Sequence, residues 1–96
     1  MVTTKPTIDL IDKKLLYPNP TINEVNVQLT WNGNIGQKDI LVYNEAGELI
    51  RLFQQDLAPG NNNFTLDVSK LGNGIYDLLL VDKEQNLPLG KVIKVK

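Results

Sequence analysis

The chain reads as an all-β domain of two packed sheets, and three observations carry that prediction. Between residues 24 and 31 the sequence alternates strictly, with Val25, Val27, Leu29 and Trp31 on one parity and Glu24, Asn26, Gln28 and Thr30 on the other. That is the period of a half-buried strand and not of a helix. Short apolar segments then recur at brief intervals along the chain with no convincing helical pattern. The stretches between them carry Gly, Asn, Asp or Pro, the residues that tight reversals need.

Taken in order, residues 8–16 form the first strand and 24–31 the second. The Gly/Asn-rich stretch Asn32-Gly33-Asn34-Ile35-Gly36 leads to a third strand at 39–43. A fourth at 49–55 follows a turn in which Gly47 can take the left-handed conformation that short hairpin loops demand. In Ala58-Pro59-Gly60, proline is pre-set for the first central position of a type II turn and glycine for the second. The fifth strand, 63–68, turns Phe64, Leu66 and Val68 inward. Residues 75–81 are the most apolar segment, with Ile75, Leu79 and Val81 on one parity and Tyr76, Leu78 and Leu80 on the other, so a central strand covered on both faces is expected. The last strand, 87–96, has Pro88 near its start, where a missing N–H is tolerated. Seven strands at this spacing predict an immunoglobulin-like Greek-key β-sandwich, with a core near Val25, Val27, Leu29, Phe64, Leu66 and Leu79.

Composition narrows the chemistry. A chain of 96 residues suits one domain with a single core. It has no cysteine and no histidine, so it offers neither a disulfide framework, a thiolate or imidazole metal site, nor a general base near neutral pH. Asp56, Asp67, Asp77 and Asp82 are scattered without a spacing that forces a carboxylate pair, and no Asp-rich loop has calcium-ligand spacing. No catalytic residue, cofactor or metal is expected. Ten basic against eleven acidic side chains, a net charge of −1, argue against a nucleic-acid partner whose grip depends on neutralising phosphates. No apolar run approaches a membrane span, and the opening residues have no apolar core of an export signal peptide.

Three motifs remain. Leu16-Tyr17-Pro18-Asn19-Pro20 sets two fixed φ angles and removes two N–H donors, which stops ladder pairing after Tyr17. Leu66-Asp67-Val68-Ser69-Lys70-Leu71-Gly72-Asn73-Gly74-Ile75-Tyr76 holds side chains that bond local backbone, two glycines for the turn, and a tyrosine placed as in a tyrosine corner. The terminal Lys91-Val92-Ile93-Lys94-Val95-Lys96 is basic and β-branched, with Lys91, Ile93 and Val95 on one face and Val92, Lys94 and Lys96 on the other. On its own terms that is an edge strand guarded by lysines. A terminal strand is also the easiest element to augment, so a receptor could read its backbone by strand addition and its lysines by charge.

Together these motifs resemble the C-terminal sorting domain, type A, of proteins exported by the type IX (Por) secretion system of Bacteroidetes. The resemblance covers residues 10–96 and leaves 1–9 as a linker remnant. It implies a non-catalytic address label that directs an N-terminal passenger across the outer membrane. Its implied partners are a shuttle protein, the outer-membrane translocon and a sortase-like peptidase that removes the domain. The implied location is the periplasm in transit, then the cell surface or the exterior, and the expected state is a monomer. The implied recognition residues are Tyr17, Pro18, Asn19, Pro20, Gly74, Tyr76, Lys91, Ile93, Lys94, Val95 and Lys96. A different class of function, an immunoglobulin-like adhesion or carbohydrate-binding module, would share the fold and would display an aromatic platform drawn from Tyr17, Trp31, Tyr43 or Tyr76.

Overall fold

A computed structural model describes residues 10–83 and 85–95. It has seven strands: β1 (Ile11–Tyr17), β2 (Glu24–Trp31), β3 (Gly36–Tyr43), β4 (Leu49–Leu57), β5 (Gly60–Asp67), β6 (Gly74–Asp82) and β7 (Gln85–Lys94). They form a three-stranded sheet in the order β1-β2-β5 and a four-stranded sheet in the order β4-β3-β6-β7, with every ladder antiparallel. The Greek-key sandwich is therefore present, with one topological detail that periodicity does not encode. The fourth strand pairs beside the third, as an extra strand does in variable-type domains, and not at the edge of the opposite sheet as in constant-type ones.

Alternation sets the core. The predicted face of β2 is buried throughout, since Val25, Val27, Leu29 and Trp31 all point between the sheets. Leu66 and Val68 join them from the same side of the sandwich, while Ile40, Val42, Tyr76, Leu78, Leu80, Leu89 and Val92 face them from the other. Phe64 packs against this cluster while staying partly exposed. Fully burying an aliphatic side chain contributes about 1.5–3 kcal/mol, so the set holds the two sheets together collectively.

Two expectations change. β6 is central in its sheet, between β3 and β7, but only its Tyr76, Leu78 and Leu80 face is buried. Ile75, Leu79 and Val81 lie on the outer face and remain at least partly exposed, so Leu79 is not a core residue. A sandwich has two layers, and even a central strand keeps one wet face. β3 also starts earlier than the predicted residue 39, which brings Lys38 into an inward position at 9% exposure. Its ammonium forms a 2.8 Å ion pair with Asp82 and lies 5.5 Å from the centroid of the Trp31 ring. Burial of that charge is possible because both a carboxylate and an aromatic face meet it.

The reversals follow their residues. Gly47 and Gly60 both take positive φ, at 82° and 107°, as the two predicted turns require. Asn62 closes the β4–β5 turn by bonding both the Ala58 N–H and the Ala58 carbonyl through its side-chain amide. At one side of the sandwich β1 lies against β7. The ammonium of Lys14 donates to the Pro88 carbonyl at 2.8 Å, and Leu16 sits so close to Gly90 that a Cβ there would come within 3.0 Å of Leu16 Cδ1. The chain therefore leaves β1 next to its own last strand.

Candidate functional site

The first motif and the terminal strand meet at this side. After Tyr17 the chain cannot continue as an ordinary ladder, because Pro18 and Pro20 have no N–H to donate. The Tyr17–Pro18 and Asn19–Pro20 peptide bonds are both cis. Asn19, between the prolines, turns its side-chain amide onto the outer edge of β7: Nδ2 donates to the Lys91 carbonyl and Oδ1 accepts from the Ile93 N–H, each at 2.8 Å. Thr21 continues the contact with its main chain, its N–H donating to the Ile93 carbonyl and its carbonyl accepting from the Val95 N–H, again at 2.8 Å each. Thr21 forms an isolated parallel bridge with Lys94 and is buried, with its hydroxyl donating to the Glu24 carbonyl.

The other motif residues support this arrangement from below. Gly74 opens β6 opposite Lys94, and Ile75 pairs with Ile93. Tyr76 is buried and its hydroxyl donates to the Gly72 carbonyl at 2.7 Å, which is the tyrosine-corner bond anticipated from its position. In the turn before it, Asp67 accepts from the Ser69 N–H at 2.9 Å. The Ser69 side chain and then its N–H hold the Asp67 carboxyl below the usual carboxylate value. Tyr17 stays exposed, and its hydroxyl accepts a 3.1 Å bond from Gln28 Nε2.

Along the tail, side-chain parity is as predicted: Lys91, Ile93 and Val95 are exposed, while Val92 and Lys94 point inward. Two consequences differ from the expectation. The backbone edge over Lys91–Val95 is not open for strand addition, because Asn19 and Thr21 already bond it. Nor is Lys94 displayed as a surface charge, for it is only 5% exposed and its ammonium bends to the Val95 carbonyl at 3.2 Å. An inward-pointing charge of this kind is one way natural sheets discourage edge pairing. Lys91 is the exposed cation among the described tail residues, and its ammonium pairs with Asp77 at 2.8 Å, which raises its pKa. Lys96 lies outside the described residues.

The residue that sequence reasoning missed is Thr21. Its local signal is a β-branched residue directly after Pro20, but nothing local indicates that it bridges to residue 94. An aromatic platform does not form, since Trp31 and Tyr76 are buried, Tyr43 is half-buried, and Tyr17 stands as the exposed aromatic ring among those four. Among the described residues no three His, Cys, Asp or Glu side chains gather as a metal site. Asp77 and Asp82 are each engaged with a lysine.

Residues 15–95 match the family described as Secretion system C-terminal sorting domain. The chain belongs to that family. The match takes in the Tyr-Pro-Asn-Pro segment, the glycine-tyrosine turn and the terminal motif through Val95, so everything in the three motifs except Lys96 falls inside it. Comparison with curated proteins and with solved structures finds no match. The sorting domain is a C-terminal signal for type IX secretion, which implies export to the cell surface or beyond, a passenger protein, and contact with the secretion machinery.

Proposed function

We propose that this domain is a non-catalytic export address, read at the C-terminal end of β7. A passenger on its N-terminal side reaches the periplasm, a shuttle protein carries it to the outer-membrane translocon, and a sortase-like peptidase removes the domain as the passenger arrives at the surface. The domain acts as a monomer and as a substrate of that peptidase. Lys91, Ile93 and Val95 are its contact residues, and Lys96 belongs to the same basic motif. Tyr17, Pro18, Asn19, Pro20, Gly74, Tyr76 and the inward Lys94 serve the fold that presents them. The observation that carries this reading is the convergence of the family's front motif and its terminal strand on one edge of the sandwich, with an exposed cation and two exposed β-branched side chains on the outer face beside it.

The test is delivery of a reporter. The full 96-residue chain is fused behind an unrelated periplasmic protein in a host that carries the machinery. Wild type is expected at the cell surface, and a deletion of residues 92–96 is expected to hold the reporter inside. Because Val92 is buried, that deletion also damages the fold. Ile93→Ser combined with Val95→Ser changes the exposed face alone and is expected to reduce delivery while the melting temperature stays near wild type. Undiminished surface delivery by both variants would sink the reading.

A further inference from the structure

Residue 19 makes, with its side chain, the bonds that its backbone would make if the parallel ladder ran one step further. In the Thr21–Lys94 bridge, the Thr21 N–H donates to the carbonyl before Lys94 and the Thr21 carbonyl accepts from the N–H after it. Two residues earlier the same pattern would have residue 19 donate to the Lys91 carbonyl and accept from the Ile93 N–H. Those are the two bonds that the Asn19 amide supplies. A side-chain amide carries one carbonyl and an NH₂ group and so can imitate a peptide unit. We propose that Asn19 and Thr21 are the positioning residues of the C-terminal signal, a two-residue surrogate strand that holds Lys91–Val95 in place, so that the front motif and the tail work as one unit.

The geometry supports this from three sides. β7 ends the order β4-β3-β6-β7, so the outward N–H and C=O groups of its last residues have no sheet neighbour, and the clasp bonds four of them. The flanking prolines fix φ on both sides of Asn19, which lowers the entropy lost in holding its amide in place. Thr21 is anchored underneath by its buried hydroxyl on the Glu24 carbonyl, so the clasp is tied to the start of β2. With the edge occupied, a partner meets side chains: Ile93 and Val95 on the outer face, Ile75 paired beside Ile93, and Lys91 next along the strand. An order of this kind makes a residue more than 70 positions away a determinant of tail recognition. The role in export rests on the reading that the end of β7 is inspected; the clasp itself can be measured apart from it.

Amide hydrogen exchange on the full chain tests the clasp, and reporter delivery tests its role. In Asn19→Ala the Ile93 amide loses its acceptor and should exchange at least about tenfold faster, with Val95 following, while Ile40 and Leu80 in the central strands keep their protection. Asn19→Asp retains an acceptor for Ile93 but no donor for the Lys91 carbonyl, and should fall between wild type and Asn19→Ala. Delivery should drop in the same order, and Ile35→Ala, a highly exposed position elsewhere, should change neither measurement. Unchanged Ile93 exchange in Asn19→Ala would show that there is no clasp. Faster exchange with equal or greater delivery would mean that the edge is yielded to an incoming strand, which also overturns the proposal. Should Asn19→Ala lose core protection, Asn19→Asp carries both measurements. Failure of wild type to deliver the reporter would remove the export reading and leave the exchange result standing.

Discussion

The Tyr76 hydroxyl donates a 2.7 Å hydrogen bond to the Gly72 carbonyl, tying the start of β6 to the turn that precedes it. The ring is buried in the core and the bond spans the corner between the two sheets. Tyr76→Phe keeps the ring and removes the bond. It should cost about 1 kcal/mol, a fall of about 4–8 °C in Tm for a domain of this size. Thermal unfolding checks it, and an unchanged Tm would show that water replaces the bond at no cost.

Gly33 packs under the indole of Trp31, where a Cβ would overlap the ring and lie 2.7 Å from Trp31 Cε2. The indole N–H also donates to the Asn34 carbonyl at 2.9 Å, so the loop and the ring hold each other. Gly33→Ala should therefore destabilise by about 1–3 kcal/mol through overpacking. The chain has a single tryptophan, and a fluorescence-monitored urea titration reads both the stability and the displacement of that ring. A wild-type midpoint with an unshifted emission maximum would contradict the packing.

The inward Lys38–Asp82 pair predicts an asymmetry. Asp82→Ala strands a buried ammonium and should cost about 3 kcal/mol, whereas replacing both partners by apolar residues, Lys38→Met with Asp82→Leu, should recover most of that loss. The comparison requires chemical denaturation of the two variants and wild type. Equal losses in both would show that the pair does not behave as a buried one.

Stability should respond to pH at two exposed groups with opposite sign. The Asp67 carboxyl is held below its ordinary 3.8, first by the Ser69 side chain and then by the Ser69 N–H. Its contribution is therefore present above 3.8 and is lost as pH falls through the lower folded-state value. The hydrogen bond and charge of Asp77 raise Lys91 above 10.5, so its contribution is present below 10.5 and is lost as pH rises through the higher folded-state value. The stability gap between wild type and Asp67→Asn should shrink on the acid side as the carboxylate is protonated, and that between wild type and Lys91→Met should shrink on the alkaline side as the ammonium loses its proton. Both gaps should be small and weaken with salt. Denaturation series at both extremes check the two signs, and a gap that is flat with pH would remove the ionic cause.

Parity was legible in the sequence wherever a strand alternates, as in β2, because which way a side chain points depends only on counting residues along an extended chain. The tyrosine corner was legible because its bond reaches only four residues back. The open outer face of β6 was not, since apolar content does not reveal how many layers cover a sheet. Lys38 also escaped it, because its burial depends on a group met only after folding, Asp82 on a strand 44 residues away, and for Lys94 the alternation gave its face but not that this face turns inward.

What the linear chain settled is local: seven strands, the buried parity of β2, the turns that join the strands, and three motifs sufficient to place it among type IX sorting domains. What folding alone decided is that Asn19 reaches Lys91 and Ile93, and Thr21 reaches Ile93 and Val95. Periodicity describes the relation of a residue to its neighbours along a strand. Bonds between the end of β1 and the end of β7 exist only because the stacking of two sheets brings those strands to the same side.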